Sequence, residues 1–199
     1  MPKILIATGN QGKLREIQAL LNEPGLRLVL PAELGISLNI DESGSTYETN
    51  AAIKAMAYAC ISGLLTLADD SGLEVDALAG LPGVRSARFA PMENATDADR
   101  RHYLLERLRG IERPWRAHFH CTVALARPDG RLRFAQGACQ GEIISEERGD
   151  NGFGYDPIFL FPELNRTMAE LSMEEKNRIS HRARAVSAAK PLLLELLRT

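Results

Sequence analysis

Two adjacent carboxylates, Asp69 and Asp70, follow an apolar run, Leu64-Leu65-Thr66-Leu67-Ala68, and lead straight into Ser71 and Gly72. Neighbouring acids repel each other and neither helps an apolar core, so a chain that places them there needs a counter-charge: a metal ion, a lysine or an arginine. Gly80-Leu81-Pro82-Gly83 then forms a rigid turn ahead of Arg85 and Arg88. Acids, a small turn and arginines are the composition of a phosphate and metal site. Asp-Ser-Gly is also ordinary turn chemistry, so the motif by itself leaves site and solvated turn equally open. In this reading the strand ends at Ala68.

Other segments carry complementary chemistry. Thr8-Gly9-Asn10-Gln11-Gly12 is a turn-rich stretch followed by Lys13, and free N–H groups at a helix start would point the same way as that ammonium. The spacing matches neither the Walker pattern nor the dinucleotide glycine fingerprint. Asp41-Glu42 is a second acidic pair beside Ser43-Gly44. Gly152-Phe153-Gly154-Tyr155-Asp156-Pro157 sets two aromatics and an acid among glycines and a proline. Glycine lets the backbone approach a ligand closely and an aromatic face can stack on a flat ring, although an aromatic turn plugging a core fits equally. Lys176, His181 and Arg182 form a late cationic group, a place for a base or a phosphate. Lys54, among alanines, reads as a snorkelling surface residue or as a ligand. His118 and His120 share a strand face with no third ligand spaced nearby, and read as solvated.

These groups need elements to position them. Residues 3–7 read as a buried strand, and apolar positions 14, 17, 20 and 21 read as one face of a helix over 13–21. A second strand is expected at 26–30. Ser45 with Glu48 has capping-box spacing and opens an alanine-rich helix to about residue 62. Thr96 caps a helix that carries Tyr103, Leu104 and Leu108. Residues 116–127 alternate apolar and polar, as a half-buried strand does, and Pro128-Asp129-Gly130 turns them back into 131–138. Residues 137–144 extend the sheet, and 183–197 form the last helix.

At 199 residues the chain fits one domain over 1–199 with a substantial core. A net charge of −2 gives no support to a nucleic-acid coat protein or a polybasic membrane binder. Cys60, Cys121 and Cys139 are scattered and read as reduced thiols of a cytoplasmic protein. No apolar run approaches the roughly 18 residues of a membrane span.

The ordered set T-G-N-x-x-K at 8–13, an acidic turn with N-A-x-x-K-A at 50–55, A-D-D-S-G at 68–72, G-F-G-Y-D-P at 152–157 and E-E-K-x-x-I-S-H-R at 174–182 closely resembles one family. It is similar to the noncanonical purine nucleoside triphosphate pyrophosphatases, the inosine/xanthosine triphosphate pyrophosphatase family often called Ham1-like. The resemblance runs from the first strand to the last helix. It implies an α/β fold with an elongated mixed central sheet flanked by helices, and two lobes with an active-site cleft between them. It further implies a homodimer that, with Mg²⁺, cuts deaminated purine nucleoside triphosphates (ITP, dITP, XTP) between the α and β phosphorus atoms, with no nucleic-acid polymer or membrane as partner.

Residue by residue, the resemblance gives the triphosphate to Thr8, Gly9, Asn10, Gln11, Gly12 and Lys13, with Lys54 and Lys176 as further substrate contacts. Asp70 becomes the general base and a metal contact, Asp69 its supporting acid and Ser71 a substrate contact. Phe153 would stack on the purine, Gly154, Tyr155 and Asp156 would shape the pocket, and His181 and Arg182 would address the base edge. The chain departs from the family pattern in two places. Asp41 stands where the metal-binding glutamate is usual, with Glu42 next to it, so both are candidate ligands. Ala183 stands where relatives commonly carry glycine after Ser180-His181-Arg182. Two other readings compete: a house-cleaning pyrophosphatase for modified pyrimidine triphosphates, and a nucleotide-binding regulator without catalysis. Retention of both Asp69 and Asp70 beside Lys13 argues against the regulator.

Overall fold

A computed structural model describes residues 1–198. The elements are β1 (Lys3–Ile6), α1 (Gln11–Leu20), β2 (Arg27–Val29), α2 (Tyr47–Ser62), β3 (Leu65–Val75) and α3 (Asp97–Leu108). They continue with β4 (Trp115–Ala126), β5 (Leu132–Ile143), β6 (Phe159–Phe161), β7 (Arg166–Thr167), α4 (Met173–Ile179) and α5 (His181–Arg198). The strands form one seven-stranded sheet in the order β2-β1-β3-β4-β5-β6-β7. β1 is parallel to both β2 and β3, with Leu5 opposite Val29 and Thr66. β5, β6 and β7 are antiparallel, with Ile143 opposite Phe159 and Leu160 opposite Thr167. This is the mixed sheet with flanking helices that the sequence led us to expect.

The chain forms two compact units. Unit 1 comprises Met1–Asp70, Cys121–Gly137 and the α5 segment. Its β1 residues and the β3 and β4 residues that fall in it are largely apolar on both faces, because helices cover both faces there. On one side Ile4, Ile6, Leu65, Leu67, Val123 and Leu125 pack with Leu14 and Ile17 of α1 and Val186, Ala189 and Leu193 of α5. On the other, Ala7, Ala68, Ala124 and Ala126 meet Ala51, Ala55 and Ala59 of α2, a layer of small side chains that lets the helix backbone lie close to the strands. Each fully buried Leu or Ile contributes about 1.5–3 kcal/mol. β5 also admits the start of α5 at short range: a Cβ on Gly137 would sit 2.4 Å from the His181 carbonyl oxygen and the Ala185 nitrogen. Only glycine permits that approach.

Unit 2 comprises Ser71–His120 and Ala138–Ser180. Its core is built from Leu73, Val75, Leu104, Leu108, Trp115, Phe119, Ile143, Ile158, Phe159, Met168 and Leu171. Phe159 is its aromatic centre, with ring centroids 4.7 Å from Phe119 and 5.3 Å from Phe161. Thr96 caps α3 as expected, and Asp99 completes the box by accepting from the Thr96 N–H at 2.8 Å.

Several boundaries differ from the sequence reading for identifiable reasons. β3 does not end at Ala68. It continues through Asp69 and Asp70 to Val75: the Asp69 charge is met by Lys13 and Arg182, and Asp70 accepts from the Asn50 amide, so the ladder need not break. α1 starts at Gln11, since the Asn10 side chain accepts the Lys13 N–H and caps it. α2 is capped by Thr46, not Ser45, through the Thr49 N–H. The alternation of β4 holds to His120 and then gives way to burial on both faces, where the strand enters the helix-covered unit 1. α5 begins at His181, two residues early, so that His181 and Arg182 lie in its first turn. The three cysteines are free, Cys60 exposed and the other two buried. Among the described residues no helix is long and apolar enough to cross a membrane.

Candidate active site

The centre of unit 1 is the acid pair on β3. Both side chains are buried, yet their surroundings differ sharply. Asp69 Oδ2 lies 3.0 Å from the Lys13 ammonium and 3.2 Å from Arg182 Nε. Burial acts to raise the Asp69 pKa, but Lys13, Arg182 and the more distant Lys54 outweigh it and hold the carboxyl far below the usual carboxylate range. Its second oxygen, Oδ1, is buried without a hydrogen-bond partner. Asp70 is pushed the other way. Burial dominates and raises its pKa, with Glu42 adding to the rise against the opposing pull of Lys54, Lys13 and an Asn50 hydrogen bond. Neighbouring positions on one strand thus carry one carboxyl held well below the usual carboxylate range and one raised above it.

Arg182 was expected at the base edge. Its guanidinium lies between Asp69 and a second acid, Glu16 of α1, with 1% of the side chain exposed. Burial disfavours its charge, and the two acids more than restore it. His181 is buried beside it at the head of α5. Ser71, half-buried, follows Asp70 on β3.

The turn before α1 is organised around the helix start. Thr8 Oγ1 accepts the Asn10 N–H at 3.2 Å, and Asn10 Oδ1 accepts the Lys13 N–H at 3.0 Å. The N–H groups of Gln11 and Gly12 belong to the first turn, which has no intrahelical acceptors, at the positive end of the helix dipole. A Cβ on Gly9 would meet no atom within 4 Å. The fold itself therefore does not require glycine there, whereas a ligand closing on the backbone would.

The acidic loop is tied to Asp70 through a residue that sequence reasoning left without a role. Asn50 of α2 is fully buried; its amide donates to Asp70 Oδ2 at 3.0 Å and its carbonyl oxygen accepts the Gly44 N–H at 2.8 Å. Gly44 must be glycine, because a Cβ would come within 2.6 Å of that same Asn50 oxygen. Glu42 is half-buried and lies 3.2 Å from Lys54, while Asp41 is exposed. Of the two candidate ligands, Glu42 is the one whose charge reaches Asp70. Lys54 is largely buried, with 13% of its side chain exposed, and its ammonium meets an acid of the loop.

The aromatic loop is a built feature of unit 2. Asp156 Oδ2 accepts the Phe153 N–H at 2.9 Å and the Lys176 ammonium at 2.6 Å, and that ammonium lies 5.0 Å from the centroid of the Phe153 ring. Both members of the Asp156–Lys176 pair are buried, with side chains 4% exposed. Lys176, expected on the triphosphate, is thus engaged with the loop. Tyr155 sends its hydroxyl to the Ser86 carbonyl at 3.0 Å, which fixes it as a core residue of the turn. Phe153 remains half-buried. His118 pairs with Glu74 at 2.8 Å, and no group of three His, Cys, Asp or Glu side chains gathers for a metal among the described residues.

Glu16 and Asn50 are the two members of this buried network that the sequence reading gave no role. Glu16 falls on the same helix face as Lys13 and Ile17, and an acid on an apolar stripe is the signal that could have found it. Asn50 carried a signal too: an amide opening an otherwise alanine-rich helix face.

Comparison with known proteins places this geometry in context. The Ham1 family model matches residues 4–192. The chain is 47% identical over 195 residues to a dITP/XTP pyrophosphatase of Desulforamulus reducens, covering 98% of this chain and 96% of the relative. It is 50% identical over 186 residues to one of Deinococcus deserti, covering 94% and 86%. Among solved structures, a HAM1 protein from Coxiella burnetii superposes with a TM-score of 0.88 at 43% identity, covering 98% of this chain and all of the other.

Proposed function

The chain belongs to the Ham1 family, and from that premise we propose that it is a nucleoside triphosphate pyrophosphatase, hydrolysing deaminated purine nucleoside triphosphates such as dITP and XTP to the monophosphate and pyrophosphate. The near-full-length likeness to relatives of that name carries the activity. The split acid pair carries the assignment of roles, because one strand supplies both a fixed anion and a proton acceptor. We take the whole chain as one catalytic domain, acting in the cytoplasm as a homodimer on the free nucleotide pool.

The unit 1 residues suit a divalent cation. Asp70 is a buried carboxyl whose nearby positive charges do not offset its burial, Asp69 keeps an unpartnered buried oxygen, and Glu42 adds a third acid in electrostatic reach. Asp70 and Glu42 would hold it, with water completing a shell of the hard oxygen donors that Mg²⁺ prefers. Bound there, Mg²⁺ would neutralise phosphate charge and orient the phosphoanhydride.

Each remaining role falls to a side chain of the protein. The Asp70 carboxylate takes a proton from the attacking water, a task helped by a pKa moved toward neutrality. Asp69, ionised throughout, holds the Lys13 ammonium at the start of α1, where Thr8, Gly9, Asn10, Gln11 and Gly12 offer donors to the triphosphate. Lys54 and Ser71 add polar contacts to the substrate. Phe153 stacks on the purine and Asp156 and Lys176 keep its loop in place. His181 donates toward a 6-oxo group, while Arg182 positions Asp69. A site that donates to a 6-oxo oxygen accepts inosine and xanthosine and meets a donor with a donor when adenine enters.

The experiment is pyrophosphate release with Mg²⁺ across a nucleotide panel. Release of pyrophosphate from ITP, dITP and XTP, well above that from ATP and GTP, is the expected result. Orthophosphate as the sole product, or preference for modified pyrimidine triphosphates, would overturn the reading.

A further inference from the structure

The loop that carries Phe153 is also gripped by the start of α3. Gly154 is in the left-handed region, φ +61°, and both polar groups of its backbone are taken by side chains from the start of α3. Asp97 Oδ2 accepts the Gly154 N–H at 2.7 Å, and Arg101 Nη1 donates to the Gly154 carbonyl at 2.8 Å. Each gripping side chain is itself braced. Asp97 pairs with Arg100, which also donates to the Ala87 and Ala95 carbonyls. Arg101, with 12% of its side chain exposed, makes a two-pronged pair with Glu147, Nε at 2.9 Å and Nη2 at 2.8 Å. Charge-assisted bonds to a backbone are among the stronger ones. A left-handed glycine has wide conformational freedom, and this arrangement removes it.

We propose that Asp97 and Arg101 are positioning residues for base recognition: by holding both polar groups of Gly154 they fix the orientation of the Phe153 ring. The proposal rests on the reading of Phe153 as the stacking platform. Asp156 and Lys176 restrain Phe153 from its own backbone N–H and from under its ring, and α3 restrains the residue after it, so the aromatic face is held from two sides before any nucleotide arrives. Preorganisation of this kind lowers the ordering cost of binding and leaves the chemical step untouched.

The test is a set of kinetic constants for ITP with Mg²⁺ in Asp97→Ala, Asp97→Asn, Phe153→Ala and the Asp97→Ala/Phe153→Ala double variant, with melting temperatures alongside. Asp97→Ala is expected to raise KM about tenfold with kcat within about twofold, the loss of one charge-assisted bond. Asp97→Asn keeps an acceptor for the Gly154 N–H and should recover most of the KM. In the Phe153→Ala background Asp97→Ala should leave KM unchanged, because the ring it positions is gone; a merely structural role would give the same loss in both backgrounds. Arg101→Gln, which loses the grip on the Gly154 carbonyl while keeping bulk, repeats the test should Asp97→Ala not fold. A fall in kcat at constant KM, or equal losses in the two backgrounds, overturns the proposal and leaves the stacking assignment standing. An unchanged KM in Phe153→Ala overturns the stacking assignment, and the proposal with it.

Discussion

In unit 1 the buried acid Asp69 faces two cations, Lys13 and Arg182, and Arg182 faces a further acid, Glu16. In unit 2 the buried acid Asp156 is paired with Lys176. Burying either group singly would be prohibitive, so both regions obey the same rule that internal charge must be matched. They use it for different ends. The unit 1 network gathers positive charge around one carboxylate of a neighbouring pair and leaves the other raised by burial, which drives the two pKa values apart. The unit 2 pair also receives the Phe153 N–H and underlies its ring, which sets a geometry. Breaking the first should therefore appear in kcat or in global stability, and breaking the second in KM.

The largest effect is expected at Asp70. Asp70→Asn removes the proton acceptor and should lower kcat roughly 10³-fold, within the range for general-base loss, as read by pyrophosphate release. Stability should move in the opposite direction. A carboxyl whose pKa is raised on folding contributes stability below its unfolded value, and that contribution disappears as pH rises through the folded value. At neutral pH, with EDTA present, Asp70 is thus a cost, and Asp70→Asn should melt higher than the unaltered protein while losing most of the stabilisation that added Mg²⁺ confers. An unchanged kcat, or a lower melting temperature in EDTA, would erase the distinction between the two acids.

Arg182→Met comes next. It leaves Asp69 and Glu16 buried with Lys13 as the remaining close cation, and should destabilise by roughly 3–5 kcal/mol in a urea unfolding titration. Lys176→Met breaks the unit 2 pair and should fall near the lower end of that range, because Asp156 still accepts the Phe153 N–H. The sharper contrast is kinetic: Lys176→Met should raise KM for ITP with kcat largely kept. A kcat loss in Lys176→Met as large as that in Asp70→Asn would return Lys176 to the triphosphate and collapse the comparison.

How much of this was legible beforehand follows from how local each signal is. The strand, turn and helix carrying Lys13, the capped α2 and the β4–β5 hairpin all announce themselves within a few residues, through periodicity, caps and Pro-Asp-Gly. The need for a counter-charge at Asp69-Asp70 was also legible, since burial of acids demands one. Which cation answers was not, because Arg182 lies 113 residues from Asp69. The same blindness made the acids look like a strand end: without knowing that Lys13 and Arg182 flank them, a break was the cheaper reading, yet β3 runs on to Val75. His120 marks a similar limit on β4, where alternation stops because helices cover both faces of the part that follows. The Arg182 ion pairs were hidden for a related reason: the motif names the residue, and only the buried Glu16 shows which acids its guanidinium meets.

The smallest effect sharpens the comparison from the periphery. Lys176 rides on α4, seven residues long and too short to persist without help. Its N-terminus is held by a capping box in which Ser172 Oγ accepts the Glu175 N–H at 3.2 Å and Glu175 accepts the Ser172 N–H at 2.8 Å. Ser172→Ala should cost about 1 kcal/mol. Because packing around Lys176 is untouched, KM should change less than about twofold, the mark of a residue that supports the helix but not the loop. The cost has a pH signature. Hydrogen bonds from Arg166 first, then from Ser172, bring the Glu175 carboxyl down to about 2. A carboxyl lowered on folding contributes stability above its unfolded pKa, and that contribution is lost as pH falls toward the folded one. The melting-temperature gap between the unaltered protein and Ser172→Ala should therefore narrow as pH falls from about 4 toward 2. A gap that stays constant over that interval would mean that Glu175 is held by Arg166 without any contribution from the cap.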